Sequence, residues 1–237
     1  MNHDSIYTAD IHHSGFSFDD QVASVFADMI QRSVPGYAQS LQMVELLAHQ
    51  YGQENSNVYD LGCSLGAASM ALSRGCADKH CNIIAIDNSP AMVERCKINL
   101  NDDKTVQIHC QDILQTHIEN ASVVVLNFVL QFIAQEDRLT LLQHIVTGLK
   151  PGGVLILSEK IAFSNAAEHN LQIELHESFK RAQGYSQLEI SRKRTALENV
   201  LIPETLDAHH QRLQQAGFAA SHTWFQCFNF TSMIAFK

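Results

Sequence analysis

The stretch Val58-Tyr59-Asp60-Leu61-Gly62-Cys63-Ser64-Leu65-Gly66, followed by Ile83-Ile84-Ala85-Ile86-Asp87, decides the fold. An apolar strand runs into a tight glycine turn, a helix opens, and a second apolar strand ends in a carboxylate. Such a unit builds a nucleoside pocket at the carboxyl ends of two neighbouring parallel strands. Gly62 lets the backbone approach a ligand, and Cys63 and Ser64 offer backbone groups on the same turn. Asp87, with Asn88 after it, supplies acceptors for two vicinal ribose hydroxyls. The turn lacks G-x-G-x-x-G, so the usual pyrophosphate cradle is missing. A nucleoside without phosphates, S-adenosyl-L-methionine (SAM) above all, fits better than NAD.

Outward from this unit the chain alternates strands and helices. Strands are expected near 57–61, 82–87, 106–110, 122–127 and 153–158. Ser89-Pro90 is a cap residue followed by proline at the first helical position. Leu139, Leu142, Val146 and Leu149 make the stripe of a helix that Lys150-Pro151-Gly152-Gly153 ends. Right-handed crossovers of this length imply a parallel sheet with helices on both faces. Upstream, Asp19 or Asp20 starts a helix with Val22, Val25, Phe26 and Met29 on one face, Pro35-Gly36 breaks it, and a second helix covers about 38–51. Residues 1–15 read as a polar tail, ordered only if it docks on something. Downstream, 162–203 reads as two helices, the second opened by the capping-box pattern Ser186-Gln187-Leu188-Glu189. A helix over about 204–215 then leads into an antiparallel pair, 221–227 and 229–236.

The resulting architecture resembles the class I SAM-dependent methyltransferase fold: an α/β, Rossmann-like, mostly parallel seven-stranded sheet with an antiparallel last strand. It divides into N-terminal cap helices (16–54), a nucleoside-binding core (57–160), a helical insertion before the last hairpin (162–203) and a C-terminal helix and strand pair (204–237). All are read as one domain, since no linker or low-complexity run splits the 237 residues.

The net charge of -9 argues against a broad phosphate-binding surface, so direct nucleic-acid binding is not expected. Six cysteines show no C-x-x-C pair, and His12-His13 and His209-His210 lack partner ligands, so no metal site is expected. No apolar run reaches membrane-spanning length and no cationic, apolar leader opens the chain, which points to a cytoplasmic protein with reduced thiols.

Fold alone implies no reaction. The segments Ile30–Tyr37 (IQRSVPGY), Tyr59–Ala67 (YDLGCSLGA), Ile84–Arg95 (IAIDNSPAMVER), Leu126–Phe132 (LNFVLQF), Gly184–Ser191 (GYSQLEIS), Leu197–Val200 (LENV) and Trp224–Phe230 (WFQCFNF) resemble the carboxy-S-adenosyl-L-methionine synthase family. Several lie outside the generic SAM-binding core. The resemblance implies conversion of SAM and prephenate to carboxy-SAM, with phenylpyruvate as by-product. A separate transferase would then use carboxy-SAM to carboxymethylate a wobble hydroxyuridine of tRNA. It also implies a homodimer and a ligand set. Asp112 and Ile113 follow the third strand, where a carboxylate can accept from an adenine amino group and a backbone amide can meet a ring nitrogen, and the resemblance favours this over a solvated loop. Asn127 faces the sulfonium. Tyr37, otherwise a packing residue, becomes a ligand contact. Arg194, otherwise part of a solvated Arg192-Lys193-Arg194 face, becomes the residue that binds the new carboxylate and is offered by the neighbouring subunit. An ordinary small-molecule SAM methyltransferase, and a non-catalytic SAM-binding subunit of a tRNA-modifying complex, share the core features.

Overall fold

A computed structural model describes residues 3–8 and 16–237. The central sheet runs β3-β2-β1-β4-β5-β8-β7, with β1 Asn57–Leu61, β2 Asn82–Asp87, β3 Val106–Cys110, β4 Ala121–Asn127, β5 Leu149–Ala162, β7 Ala220–Cys227 and β8 Phe230–Phe236. The first five pair in parallel. β8 is antiparallel to both β5 and β7. An eighth, two-residue strand, β6 (Glu204–Thr205), pairs with the far end of β5. The order reverses between β1 and β4, so the carboxyl ends of β1, β2 and β4 open on one crevice, where such sheets bind ligands.

The helices α3 (Ala67–Gly75), α4 (Pro90–Asn99), α5 (Gln135–Gly148) and α8 (Leu206–Ala216) cover the sheet. β4 is buried on both faces, with Val124 and Leu126 packed toward α5 and Val123 and Val125 toward α3 and α2 (Tyr37–Tyr51). This two-sided burial explains the continuous apolar run of its sequence. β5 is longer than the sequence pattern indicates. It starts at Leu149, directly after α5, and passes through the Pro151-Gly152-Gly153 segment with a register shift against β4. Leu149 therefore belongs to the strand. The buried face of α5 is Arg138, Leu141, Leu142, Ile145 and Val146.

Capping chemistry fixes the helix starts. Val22 N–H donates to Asp19 Oδ1, beginning α1 (Asp20–Ser33), and Met92 N–H donates to Ser89 Oγ, beginning α4. In the insertion, α6 (Ala166–Ala182) is followed by α7 (Gln187–Leu197), which opens with the full Ser186/Glu189 capping box. Of the expected polar tail, residues 3–8 dock: Ile6 and Tyr7 are buried against Val22, Val25 and Met29 of α1. Asp4 is buried too, accepting the Tyr185 hydroxyl and donating its N–H to Asp28 Oδ2 at 2.7 Å. The remainder of that expectation, His12-His13 included, lies outside the described residues.

Glu159, fully buried in β5, accepts the N–H groups of Leu130 (2.8 Å) and Gln131 (2.9 Å) and so fixes the turn after β4. Burial pushes its carboxyl up to about 8, against the opposing pull of those amides and Arg138. A raised folded-state value stabilises the fold below the ordinary carboxylate range, and that contribution is lost as pH rises toward about 8. Glu159→Gln is expected to flatten this slope. Urea unfolding at several pH values from about 5 to about 8.5, which spans most of the shift, checks it, and an unchanged slope would refute the assignment.

Candidate functional site

At the carboxyl end of the sheet lies a cavity of about 1340 Å³, walled by the β1, β2 and β4 turns and roofed by α1, α2 and α7. Its lining includes Tyr37, Gly62, Cys63, Ser64, Asp87, Asn88, Asp112, Ile113 and Asn127. Nine of the ten residues singled out in the sequence are thus brought together.

The first turn is built by backbone. The N–H groups of Gly62 and Cys63 both donate to Ile86 O, at 2.7 and 2.9 Å, tying β1 to β2. Gly62 sits at φ +82°, and a Cβ there would fall 2.5 Å from Val129 Cγ2. Only glycine lets the turn and the post-β4 loop approach so closely. Ser64 (φ 48°) and Phe128 (φ 64°) also adopt left-handed backbone at this site, the kind of strain that clusters where geometry serves a ligand. The Cys63 thiol is held protonated by its contact with Cys96 and by burial, so it packs and does not act as a nucleophile.

Asp87 is oriented by two amides: Ser89 N–H donates to Oδ1 and Ser64 N–H to Oδ2, both at 2.9 Å. Each oxygen keeps lone-pair capacity toward the cavity, the arrangement that a pair of vicinal hydroxyls requires. Burial raises its proton affinity and those amides oppose the rise. Asp112 caps the 3₁₀ turn at 113–115 by accepting Leu114 N–H at 2.9 Å. Asn127 lines the cavity, and its Oδ1 is buried with no hydrogen-bond partner in the protein, an acceptor left over by the fold. Tyr37 packs near Phe128, with ring centroids 6.5 Å apart. Burial, then the Asp60 charge, keeps its hydroxyl protonated.

Asp60 was not singled out, yet it is fully buried and lines the same cavity. Oδ2 accepts Ser69 Oγ–H at 2.6 Å, whereas Oδ1 has no partner. Burial pushes its carboxyl up to about 6. With Asn127 it gives two orphan acceptors, suited to the ammonium end of an amino-acid nucleoside. The signal was present in the sequence, two residues before Gly62, but a carboxylate inside a strand reads as part of the strand. Arg194, by contrast, does not line the cavity of its own chain. Its side chain is 64% exposed and donates to Glu177 Oε1 at 3.0 Å. Among the described residues no cluster of histidine, cysteine and acidic groups could hold a metal. None of the described helices is long and apolar enough to cross a membrane.

Residues 58–153 match a family model described as "Methyltransferase domain". The carboxy-S-adenosyl-L-methionine synthase of Geobacter sp. (strain M21) is 57% identical, covering 94% of this chain and 93% of its own. That of Vibrio cholerae is 54% identical, covering 99% and 97%. The chain belongs to the carboxy-S-adenosyl-L-methionine synthase family. Solved structures agree on the fold of this carboxy-SAM synthase family member. Human N-acetylserotonin methyltransferase in complex with SAM matches with TM-score 0.62 at 18% identity, covering 92% of this chain and 55% of that one. An O-methyltransferase family protein from Burkholderia thailandensis matches with TM-score 0.64 at 13% identity, over 92% and 59%.

Proposed function

We propose that this protein converts SAM and prephenate to carboxy-SAM and phenylpyruvate. Family membership at more than half identity over nearly the whole chain supports the activity. The single structural observation that carries the ligand is the cavity in which Asp87 presents both carboxylate oxygens while Asp60 Oδ1 and Asn127 Oδ1 stand unpartnered. Asp87 would take the ribose hydroxyls, Asp112 and Ile113 the adenine, and Gly62, Cys63, Ser64, Tyr37 and Asn127 the methionine part, with Asn88 beside the ribose. SAM is here a substrate. A proton leaves its methyl group, prephenate loses hydroxide and CO₂ as its ring aromatises, the carbanion captures the CO₂, and proton and hydroxide form water. The protein's share is to hold the two molecules together and exclude water.

The active unit on this reading is a homodimer, in which Arg194 binds the new carboxylate in the neighbouring site. Lys193, Leu197, Val200 and Leu201 face their own cavity, which turns Arg194 outward. Leu171 and Leu175 of α6 and Leu188 of α7 expose apolar surface suited to a second copy. The product would pass to a separate tRNA carboxymethyltransferase in the cytoplasm, with no tRNA contact by this acidic chain. Mass spectrometry of the small molecule released after incubation with SAM and prephenate tests the reading. A species heavier than SAM by one CO₂ is expected, whereas unreacted SAM or S-adenosylhomocysteine would overturn it.

Asp87→Ala is expected to weaken SAM binding about 10- to 100-fold, since it removes two charge-assisted hydrogen bonds. Calorimetric titration with SAM checks this, and an unchanged affinity would move the ribose elsewhere.

A further inference from the structure

The cavity of about 1340 Å³ exceeds the roughly 300–1,000 Å³ that a single small ligand occupies. One end belongs to the nucleoside, where Asp87 ends β2 and Asp112 follows β3. The other end lies beyond Asn127, where the sheet continues β4-β5-β8. There Phe128 follows β4, Phe230 opens β8 and Tyr37 opens α2, and all three line the cavity. Ring centroids 6.5 Å apart for Tyr37 and Phe128, and 5.8 Å apart for Phe128 and Phe230, make them one continuous aromatic wall.

A cation stands beside that wall. The His176 ring packs edge-on against Phe230, with centroids 4.9 Å apart, and its Nε2–H donates to Ser33 O at 2.8 Å. Ser33 Oγ in turn accepts from Lys193 Nζ at 2.9 Å, and Ser33 and Lys193 both line the cavity. Among the described residues that line it, Lys193 is the only lysine or arginine. It stands against the carboxyl groups of Asp19, Asp20, Asp60, Asp87, Glu94 and Asp112. An anionic substrate is therefore attracted at one place in this cavity and repelled at most others.

Lys193 has donors to spare. An ammonium carries three N–H groups. One goes to Ser33 Oγ, while Asp4 Oδ2, at 3.9 Å, lies outside hydrogen-bond reach and already accepts the Tyr185 hydroxyl. Among the described residues no other hydrogen bond ends on Lys193 Nζ, although its side chain is only 8% exposed. The ion pair with Asp4 steadies α7, and two N–H groups remain for an acceptor that enters the cavity.

We infer that this lobe holds the second substrate: Phe128 and Phe230 take its six-membered ring, and Lys193 with Ser33 takes the carboxylate that the reaction leaves intact. This deepens the functional reading above and rests on it. Prephenate carries two carboxylates with opposite fates. The ring carboxylate leaves as neutral CO₂, so a cation fixed on it would favour the ground state over the transition state. The side-chain carboxylate keeps its charge into phenylpyruvate, and one fixed lysine serves it throughout. The aromatic wall suits a ring that becomes phenyl as the reaction proceeds.

The test is calorimetric titration into S-adenosylhomocysteine-loaded protein, where no sulfonium methyl is present and nothing turns over. Three probes separate ring from carboxylate: prephenate, phenylpyruvate, which keeps only the side-chain carboxylate, and pyruvate, which keeps that carboxylate without the ring. Lys193→Met is expected to weaken prephenate and phenylpyruvate alike, by about 10- to 100-fold, with S-adenosylhomocysteine affinity unchanged. Wild-type protein should bind pyruvate at least about tenfold more weakly than phenylpyruvate. Should Lys193→Met lose S-adenosylhomocysteine as well, Lys193→Gln, which keeps an N–H for Ser33, gives the reading, with the same loss expected. Phenylpyruvate bound as tightly by the variant as by wild type overturns the assignment, as does loss confined to prephenate, which would put Lys193 on the ring carboxylate. Pyruvate binding equal to that of phenylpyruvate overturns the ring wall. Carboxy-SAM formation by the wild type is read in parallel. Its failure sinks the functional reading, while the phenylpyruvate titration still decides the lobe.

Discussion

Arg194→Ala lowers carboxy-SAM formation about 100-fold while leaving the affinity for SAM within about threefold of wild type, a loss on the scale of one transition-state charge contact. SAM itself carries no carboxylate on the sulfonium-bound carbon, so a guanidinium there does nothing for the substrate. It would oppose the sulfonium charge until the new carboxylate forms, and then pair with it through two parallel hydrogen bonds. The position of Arg194 makes a second, sharper outcome testable. Because it points away from its own cavity, its target on this reading is the site of a second copy. Arg194→Ala and Asp87→Ala chains, each strongly impaired alone at a SAM concentration that does not saturate the Asp87→Ala site, should regain activity when refolded together. Half the dimers would be mixed and half the sites in those would be intact, so about a quarter of wild-type turnover is expected. No recovery on mixing would place Arg194 in its own chain's site. Equal loss of SAM binding and turnover in the single variant would remove it from carboxylate recognition altogether.

Glu204→Ala destabilises the fold by about 3–5 kcal/mol, the cost of leaving a buried charge without its partner. Arg138 of α5 is fully buried, and its guanidinium donates to Glu204 Oε2, to Ile202 O at 3.0 Å, to Gln131 O at 3.3 Å and, through Nε, to Ile133 O at 3.0 Å. Arg212 approaches the other oxygen of Glu204. This one side chain ties α5, the cavity-lining turn at 131–133 and the strand β6 together. The double variant Arg138→Met/Glu204→Leu should be less destabilised than Glu204→Ala, because it removes both charges and keeps the volume. For a chain of this size the single variant should melt on the order of 10 °C lower. A fall of only about one degree would mean the remaining carbonyls suffice. Burial pushes the Glu204 carboxyl up, but its hydrogen bonds to Arg212 and Arg138 win and lower it. The stabilisation is therefore present at neutral pH and is lost as pH falls through that lowered value.

Much of the site was legible because local rules and ligand chemistry coincide in one segment. Gly62 marks a turn that no side chain tolerates, Asp87 ends an apolar strand, and Ser89-Pro90 announces the helix after it. Asp60 escaped notice although it lies in that same segment, since only the tertiary structure shows that one of its oxygens has a hydrogen-bond partner and the other none. The extension of β5 was hidden by Pro151-Gly152-Gly153, which reads as a stop. The strand passes it by shifting register and then continues to pair with β8 and β6.

The sequence by itself determined the order of strands and helices, the parallel sheet with its antiparallel close, and the family, because these depend on periodicity, caps, turns and motifs carried by neighbouring residues. Only the tertiary structure decided which charges are buried together. Glu159, Arg138 and Glu204 come from three separate elements, β5, α5 and β6. Their proton affinities and partners follow from burial and proximity across the fold, which no local pattern encodes.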